Sequence, residues 1–279
     1  PAALSLRGLK LVIDCAHGAT YQVAPQVFAE LGASVVQVGA EPDGFNINEG
    51  VGSTSPATLQ ERVLSEQADA GIAFDGDGDR VQCVAADGSV VDGDELLFII
   101  AMDRVRRGGI VEGVVGTQMT NLGMEQGLAE HGVSVVRAGV GDRHVLAAMS
   151  QKGWLLGGEA SGHIICGDVA TTGDGIIAAL QVLAAMIGSG ESLLSLKSGM
   201  RKLPQTMINV PIAAGFELTQ CAPALAESER VEALLADRGR LVLRPSGTEP
   251  LIRVMIEGRD AAENLQLAEG LAEVIRQSV

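Results

Sequence analysis

Three aspartates alternate with glycines in one short segment of the sequence, residues 75–80 (DGDGDR). Asp75, Asp77 and Asp79 place three carboxylates on a tight loop, where like charges repel strongly unless a hard cation lies between them. Such oxygen ligands suit Mg²⁺, with a phosphate oxygen completing the coordination. The segment directly follows a buried-type strand, where α/β sheets place ligand sites, so an acidic surface turn is the weaker interpretation. An EF-hand is excluded because Arg80 occupies the sixth loop position, which requires glycine.

A second segment, residues 157–163 (GGEASGH), offers groups suited to a polyol ligand. Glu159 and Ser161 can bind neighbouring hydroxyl groups, and His163 can carry a proton near neutral pH. On spacing alone, a glycine-rich turn with a structural histidine is an equally good interpretation. Arg143, at the start of a predicted helix, is a further candidate to face the same ligand.

A third segment, residues 244–250 (RPSGTEP), combines cationic, hydroxyl and glycine residues, and Arg253 follows it. Guanidinium groups, hydroxyl groups and the free N–H groups around a glycine suit a phosphate dianion. The segment lacks the G-x-x-x-x-G-K-[ST] pattern of a nucleotide-binding loop, so an isolated phosphate group is favoured over ATP. A capped turn between two strands is the structural alternative.

Alternating strand and helix patterns must position these three segments. The apolar periodicity predicts strands at residues 9–14, 34–38, 70–74, 81–85, 90–91, 110–115, 133–136, 154–156, 205–212, 241–244 and 252–256. It predicts helices at residues 20–31, 56–67, 95–107, 121–131, 174–187, 227–235 and 261–277, with one more after Asp142.

This order of elements predicts two consecutive α/β domains with mixed, mainly parallel sheets, followed by a smaller α+β domain. We expect the domains to comprise residues 1–90, 91–202 and 203–279. The DGDGDR segment then lies in the first domain, the GGEASGH segment in the second, and the RPSGTEP segment in the third.

Composition and charge narrow the class of protein. The chain has 279 residues with 20 Lys+Arg and 35 Asp+Glu, a formal net charge of −15, which argues against nucleic acid or an anionic membrane surface as partners. The longest near-apolar run, residues 176–187, falls short of the roughly 18–20 residues of a membrane-spanning helix. The four cysteines show neither a CxxC pair nor zinc spacing, so we expect reduced, buried thiols in a cytoplasmic protein.

Taken in order, the three segments resemble the metal, sugar and phosphate loops of the α-D-phosphohexomutases. We name them accordingly: the metal loop (residues 75–80), the sugar loop (157–163) and the phosphate loop (244–250). The stretches IDCAHGATY, GFNINEGVGST, TQMTNLG, GVGDR and TTGDG extend the resemblance over essentially the whole chain. The SGTEP core of the phosphate loop favours the members that act on glucosamine phosphates over those that act on mannose or glucose phosphates.

The resemblance implies a phosphosugar substrate, a Mg²⁺ cofactor and an intramolecular phosphotransferase reaction. In that reaction a phosphate moves between O6 and O1 through a bisphosphorylated sugar that reorients in the cleft. The resemblance implies these roles: Asp75, Asp77 and Asp79 bind the metal; Arg80 stabilises the phosphoryl group in transfer, with His163 a candidate proton carrier; Glu159 and Ser161 bind the sugar; and Arg244, Ser246, Gly247 and Thr248 bind the phosphate that does not react. On residue type and position alone, Arg143 and Arg253 are further candidates to bind the substrate.

One part of the family pattern is absent from the sequence. The phosphorylated serine of the family lies in a first domain, in a Thr-x-Ser-His-Asn-Pro type of loop, and neither Ser5 nor Ser34 has comparable surroundings. We therefore expect that the chain begins at the second domain of the family and that a domain of roughly 150 residues is missing. We expect this chain alone to be inactive, and a homodimer formed through the absent or the first domains is left open.

Three alternatives to an amino-sugar phosphohexomutase stay open at the level of the sequence. The first is a member of the same family that acts on glucose or mannose phosphates. The second is a naturally short, non-catalytic protein that binds phosphosugars. The third is a magnesium-dependent phosphatase, which would release phosphate from hexose phosphates and lose that activity in Asp75→Asn.

Overall fold

The computed structural model describes residues 4–213, 216–246 and 249–279. The chain divides into two compact units: the first comprises the residues up to 120 together with 124–201, and the second comprises 121–123 together with the residues from 202 onward. Within the described ranges, every helix is too short or too polar to cross a membrane.

Twelve strands and nine α-helices are found in the described part of the chain. The strands are β1 (Lys10–Asp14), β2 (Ser34–Val38), β3 (Ala70–Phe74), β4 (Val81–Ala85), β5 (Val90–Val91), β6 (Gly113–Thr117), β7 (Ser134–Ala138), β8 (Leu156–Gly158), β9 (Ile164–Cys166), β10 (Gln205–Pro211), β11 (Gly239–Pro245) and β12 (Leu251–Gly258). The helices are α1 (Val23–Glu30), α2 (Ala57–Glu66), α3 (Gly93–Arg106), α4 (Leu122–Ala129), α5 (Asp142–Lys152), α6 (Gly175–Ser189), α7 (Leu193–Lys197), α8 (Ala222–Leu235) and α9 (Ala261–Arg276).

Two mixed sheets make up the strands of the first unit. In the five-stranded sheet, in the order β2-β1-β3-β4-β5, the strands β1, β2 and β3 are parallel and β4 and β5 are antiparallel. In the four-stranded sheet, in the order β7-β6-β8-β9, only β9 is antiparallel to its neighbour. The prediction of mixed, mainly parallel sheets is therefore confirmed.

The helices α3 and α6 join the two sheets into one core, because each of them contacts strands of both. A capping box begins α3: Glu95 N donates to Asp92 Oδ1 at 3.2 Å, and Asp92 N donates to Glu95 Oε2 at 3.0 Å. Asp174 caps α6 by accepting from Ile177 N at 2.9 Å. The boundary predicted after residue 90 falls within this shared core, and it stays a prediction.

The second unit is a small antiparallel sheet covered by helices. Its strands lie in the order β10-β12-β11, and α8 and α9 pack against them around a core that includes Val210, Val231 and Leu271. A short segment from the start of α4 belongs to this unit, since Leu122 N donates to Glu257 Oε1 at 3.0 Å. The prediction of a smaller α+β domain is confirmed.

Some predicted elements differ from the structure in extent. The strand predicted from residue 110 begins at Gly113, because Ile110 is 92% exposed and lies in the irregular segment between α3 and β6. The strand predicted at residues 154–156 is found at Leu156–Gly158, and α8 begins five residues before the predicted start at residue 227. Two elements, β9 and α7, were not predicted.

Candidate functional site

The metal loop begins where the buried strand β3 ends at Phe74. Asp75 Oδ1 accepts from Gly78 N at 2.9 Å and from Arg80 N at 3.2 Å, so one carboxylate oxygen shapes the loop from within. Gly78 has a φ of 79°, a left-handed conformation that glycine adopts without strain. The guanidinium of Arg80 is about half exposed, with Nε 3.9 Å from Asp75 Oδ2.

The pKa values of Asp75 and Asp79, two carboxyl groups of the metal loop, depend on each other. Burial and the hydrogen bond with Asp79 raise the pKa of Asp75. Burial opposes ionisation of Asp79, but hydrogen bonds with Asp75 and His163 outweigh it and lower the pKa of Asp79. Carboxylate oxygens brought this close need a shared proton or a cation between them, and an all-oxygen set of donors is what Mg²⁺ prefers. The chemistry of the donors therefore fits the metal.

A ready-made cage for the metal is not formed by the side chains. Among the residues that the structure describes, no three His, Cys, Asp or Glu side chains are grouped closely enough to hold a metal ion. Asp77, the third predicted ligand, is exposed. The assignment of Asp75, Asp77 and Asp79 as metal ligands thus rests on donor chemistry and stays a prediction.

The turn that follows β1 packs against the backbone of the metal loop. Ala16 and His17 both have left-handed backbone conformations, with φ of 54° and 50°. This turn brings Ala19 N within 2.8 Å of Gly76 O, to which it donates. A Cβ at Gly18 would lie 2.3 Å from the same carbonyl oxygen, so only glycine allows this approach. Sequence reasoning missed this support, although the stretch IDCAHGATY contains its glycine.

The sugar loop connects β8 to β9 as a tight antiparallel turn. Glu159 N donates to His163 O at 3.0 Å, which closes the turn. The Glu159 side chain is held in place by Gly141, whose N–H donates to Glu159 Oε1 at 2.8 Å. Ser161 is exposed at the tip of the turn, and Arg143 is exposed in the first turn of α5, two residues after Gly141. The structure thus links the Glu159 carboxylate to the segment that carries Arg143.

The metal loop and the sugar loop are joined directly. Arg80 and His163 form an isolated antiparallel bridge, and Val81 N donates to Gly162 O at 3.1 Å. The side chains follow the backbone: His163 Nδ1 lies 3.0 Å from Asp79 Oδ2. His163 is only 5% exposed, and its Nε2 has no hydrogen-bond partner among the described residues. Sequence reasoning predicted both residues as functional but did not predict their contact.

The phosphate loop belongs to the second unit, where two arginines face each other across antiparallel strands. Arg244 in β11 and Arg253 in β12 are Cα partners, and Arg253 Nη2 lies 3.5 Å from Ser246 Oγ. The Nε atoms of both arginines are buried without a hydrogen-bond partner in the described part of the chain. Like charges opposite each other destabilise a sheet, so this pair suits an anionic ligand. Two further predicted ligands, Gly247 and Thr248, lie outside the described residues.

Three sequence profiles of one family match successive parts of the chain. The profile for Phosphoglucomutase/phosphomannomutase, alpha/beta/alpha domain II, matches residues 2–88. The profile for alpha/beta/alpha domain III matches residues 92–203, and that for the C-terminal domain matches residues 207–274.

Curated relatives resemble the chain over almost all of its length. It is 54% identical to a phosphoglucosamine mutase of Thioalkalivibrio sulfidiphilus and 56% identical to one of Pseudomonas fluorescens, in each case over 99% of this chain. The chain spans 62% of the length of each of these relatives.

Solved structures share the fold at low sequence identity. A phosphoglucomutase/phosphomannomutase family protein from Burkholderia thailandensis matches 99% of this chain and 62% of its own, with a TM-score of 0.81 and 20% identity. The N-acetylphosphoglucosamine mutase of Aspergillus fumigatus, in complex with GlcNAc-6P and magnesium, matches 97% of this chain and 67% of its own, with a TM-score of 0.76 and 22% identity.

Proposed function

The chain belongs to the phosphoglucomutase/phosphomannomutase family, whose domains II, III and IV it carries, and we propose that it is the larger part of a phosphoglucosamine mutase. That enzyme interconverts glucosamine 6-phosphate and glucosamine 1-phosphate through a 1,6-bisphosphate. The observation that carries the proposal is the junction of the metal and sugar loops, where Arg80 pairs with His163. The junction supports the proposal, because the loop with candidate groups for phosphoryl transfer there pairs with the loop that carries candidate groups for sugar hydroxyls.

In the first unit, the metal loop would bind the phosphoryl group that is transferred. Asp75, Asp77 and Asp79 would hold Mg²⁺, which, when bound, neutralises charge on phosphoryl oxygens. Arg80 adds a cation to this loop: its guanidinium is 45% exposed, and its Nε is 3.9 Å from the Asp75 carboxylate. Such a long and exposed ion pair holds the side chain weakly, so Arg80 can turn to a phosphoryl oxygen and stabilise its charge.

The sugar loop would orient the hexose. With Oε1 of Glu159 fixed by Gly141, its other oxygen is the one that accepts from a sugar hydroxyl. Ser161 and Arg143 are both exposed and reach solvent, where a ligand would lie. Holding the reacting oxygen in one place supplies the orientation that phosphoryl transfer requires. A role of His163 as the proton carrier stays a prediction, and with Nδ1 facing Asp79 that role would fall to Nε2.

The second unit would anchor the phosphate that does not react. Arg244 and Arg253 each bring a buried Nε that no described protein atom satisfies, and Ser246 adds a hydroxyl beside Arg253. Charge-assisted hydrogen bonds from two guanidinium groups match a phosphate dianion. By the family resemblance, Gly247 and Thr248 complete this anchor.

The proposal also covers the cellular location, the domain limits and the oligomeric state of the protein. The four cysteines are free and buried, which supports the cytoplasmic location proposed here. The domain limits 1–90, 91–202 and 203–279 and a homodimer through the absent or the first domains stay predictions.

The experiment is a turnover assay on the complete protein, with a phosphoserine domain preceding this chain and sugar bisphosphate present. We expect kcat/KM for glucosamine 6-phosphate to exceed the values for glucose and mannose phosphates. The 279-residue chain alone serves as the matched control. We expect it to show no turnover, because it lacks the serine that donates the phosphoryl group.

The same assay separates the alternatives. Higher kcat/KM on neutral sugars would identify a phosphomannomutase or phosphoglucomutase. Release of inorganic phosphate that is abolished in Asp75→Asn would identify a phosphatase. Binding of phosphosugars without turnover of the complete protein would identify a binding protein, and rapid turnover by the isolated chain would contradict the proposed need for a phosphoserine domain.

A further inference from the structure

The helices α8 and α9 cover one face of the sheet in the second unit, and a row of polar residues lies on the other face. Val210 and Val254 belong to the core beneath the helices. Because side chains alternate between the two faces of a sheet, the preceding residues, Asn209 and Arg253, lie on the opposite face. Asn209 in β10 and Arg244 in β11 are both Cα partners of Arg253 in β12. We call these three residues the open row.

A second row, farther along the same face, shows how such side chains are satisfied. Gln205 in β10 and Arg240 in β11 are both Cα partners of Glu257 in β12. Gln205 Nε2 donates to Glu257 Oε1 at 2.9 Å, and Arg240 Nε donates to Glu257 Oε2 at 2.5 Å. In this closed row, an amide on one side and a guanidinium on the other converge on one fully buried carboxylate.

The open row has the same types of residue on its outer strands, but an arginine replaces the central carboxylate. Asn209 is exposed, and its amide has no hydrogen-bond partner among the described residues. Arg253 Nη2 makes two long contacts of 3.5 Å, with Ser246 Oγ and Glu249 Oε2. The Nε atoms of both arginines are buried without a partner in the described part of the chain. The open row thus gathers donors without the central anion that the closed row contains.

We propose that Asn209 is a further substrate-binding residue, whose amide donates to the phosphate that Arg244 and Arg253 anchor. The inference rests on the phosphate anchor of the proposed function, and it adds a donor from β10, a strand outside the phosphate loop. The phosphate takes the place in the open row that the Glu257 carboxylate takes in the closed row.

The spacing and the charge of Asn209 both suit this role. Residues directly opposite each other on antiparallel strands have Cβ atoms about 4.5–5.5 Å apart, so an oxygen bound to Arg253 is within reach of the Asn209 amide. An amide also supplies a donor without adding a third positive charge beside two arginines that already repel each other.

The test is a calorimetric titration of the 279-residue chain with inorganic phosphate. Asn209→Asp keeps the size of the side chain and its acceptor oxygens but removes the N–H donors. We expect the Kd for phosphate to rise at least tenfold in this variant. The matched control is Gln266→Glu, the same change of amide to carboxylate at an exposed position of α9, where we expect the Kd to change less than twofold.

Urea unfolding in phosphate-free buffer separates a binding role of Asn209 from a structural one. In Asn209→Asp the new carboxylate lies opposite Arg253 and recreates the amide-free form of a compensated row, so we expect the urea midpoint to rise while phosphate binding falls. A structural role of the amide would instead lower the midpoint and the phosphate affinity together, and that result would overturn the inference.

Asn209→Leu removes the donor without adding a charge. We expect it to raise the Kd for phosphate about five- to tenfold. If only Asn209→Asp weakens binding, charge repulsion alone explains the effect and the inference is wrong.

Arg244→Gln separates the inference from the proposal on which it rests. If Arg244→Gln weakens phosphate binding while Asn209→Leu binds phosphate as well as the unaltered chain does, the role of Asn209 is wrong and the anchor stands. If Arg244→Gln also leaves phosphate binding unchanged, the anchor is wrong and the role of Asn209 fails with it.

Discussion

The loops of the first unit and the phosphate loop of the second unit prepare for charged ligands in opposite ways. The metal and sugar loops are held by backbone hydrogen bonds and by close contacts at glycine, so their geometry exists before any ligand binds. Arg244 of the phosphate loop lies opposite Arg253 of β12, and the Nε atoms of both arginines are unsatisfied by described protein atoms. In the first region, folding itself fixes the loop geometry that a ligand needs. In the second region, folding leaves two guanidinium groups without full hydrogen bonding, and an anionic ligand would supply the missing partners.

In the first region, two glycines approach backbone carbonyl groups so closely that no side chain would fit there. A Cβ at Gly162 would lie 2.0 Å from Val81 O, and one at Gly93 would lie 2.1 Å from Glu159 O. Both contacts join the sugar loop to a neighbouring strand or helix. Because the opposing atoms are carbonyl oxygens, any larger residue must displace the backbone itself.

The largest predicted effect comes from Gly162→Ala. The residue has a φ of 96°, and the new methyl group would meet Val81 O, so we expect the free energy of unfolding to fall by about 3 kcal/mol or more. Gly44→Ala is the matched control: its φ is 93°, but nothing lies within 4 Å of the Cβ position, so we expect a loss of only about 1 kcal/mol. Urea unfolding of both variants measures the difference. Equal losses would show that the loops are not braced by this contact.

The second prediction concerns the phosphate loop, where we expect a substitution to increase stability rather than reduce it. We expect Arg244→Gln to weaken the binding of inorganic phosphate about tenfold or more, because a charged donor is lost. In phosphate-free buffer the same change should raise the free energy of unfolding by up to about 1 kcal/mol, since it removes a like-charge pair with Arg253. Calorimetric titration measures the first effect, and urea unfolding measures the second.

Arg230→Gln is the control for this prediction, because Arg230 is exposed and pairs with Glu227 at 2.6 Å. We expect it to change phosphate binding little. Arg253 is less suited to the test than Arg244, since its Nη2 also lies 3.5 Å from Glu249 Oε2. Unchanged phosphate binding in Arg244→Gln would contradict the proposed role of Arg244 in binding phosphate. A loss of stability would contradict the proposed repulsion between Arg244 and Arg253.

Much of the fold was predictable from the sequence because most elements are long and periodic. The strands β1 to β5 and the helix α9 match their predicted ranges to within one residue at each end. The three-residue β9 and the five-residue α7 are too short to show a strand or helix periodicity in the sequence. Whether such short segments form depends on the elements that they pack against. Gly157 and Gly158 lie in β8 although glycine disfavours strands, because a Cβ at Gly157 would meet Met149 and Val115.

The chemistry of the site was more predictable than its construction. Residue types and spacing predict the candidate donors in each loop, because carboxylates prefer hard cations and guanidinium groups prefer phosphate oxygens. The contacts of Asp79 with His163 and of Glu159 with Gly141 span 84 and 18 positions, and no local pattern encodes them. The left-handed pair at Ala16 and His17 was equally hidden, because alanine does not favour that conformation.

The smallest predicted effect tests whether the first region rests on a dry core. Burial raises the pKa of Cys83, in β4 next to the metal loop, to about 12. Because the folded pKa is raised, the thiol contributes stability that is fully present below its unfolded pKa of about 8.5 and is lost as the pH rises toward 12.

Between pH 7.5 and 9.5, therefore, we expect the unaltered chain to lose about 1.4 kcal/mol more stability than Cys83→Ala, measured by urea unfolding with a reductant present. Cys15 and Cys166, whose pKa values burial raises to about 11, are common to both proteins, so their contributions cancel in the difference. The smaller side chain of Cys83→Ala lowers stability by a packing term that does not vary with pH. Parallel pH profiles would mean that Cys83 ionises in the folded chain, so that water reaches β4 and the metal loop is less firmly supported than its backbone contacts indicate.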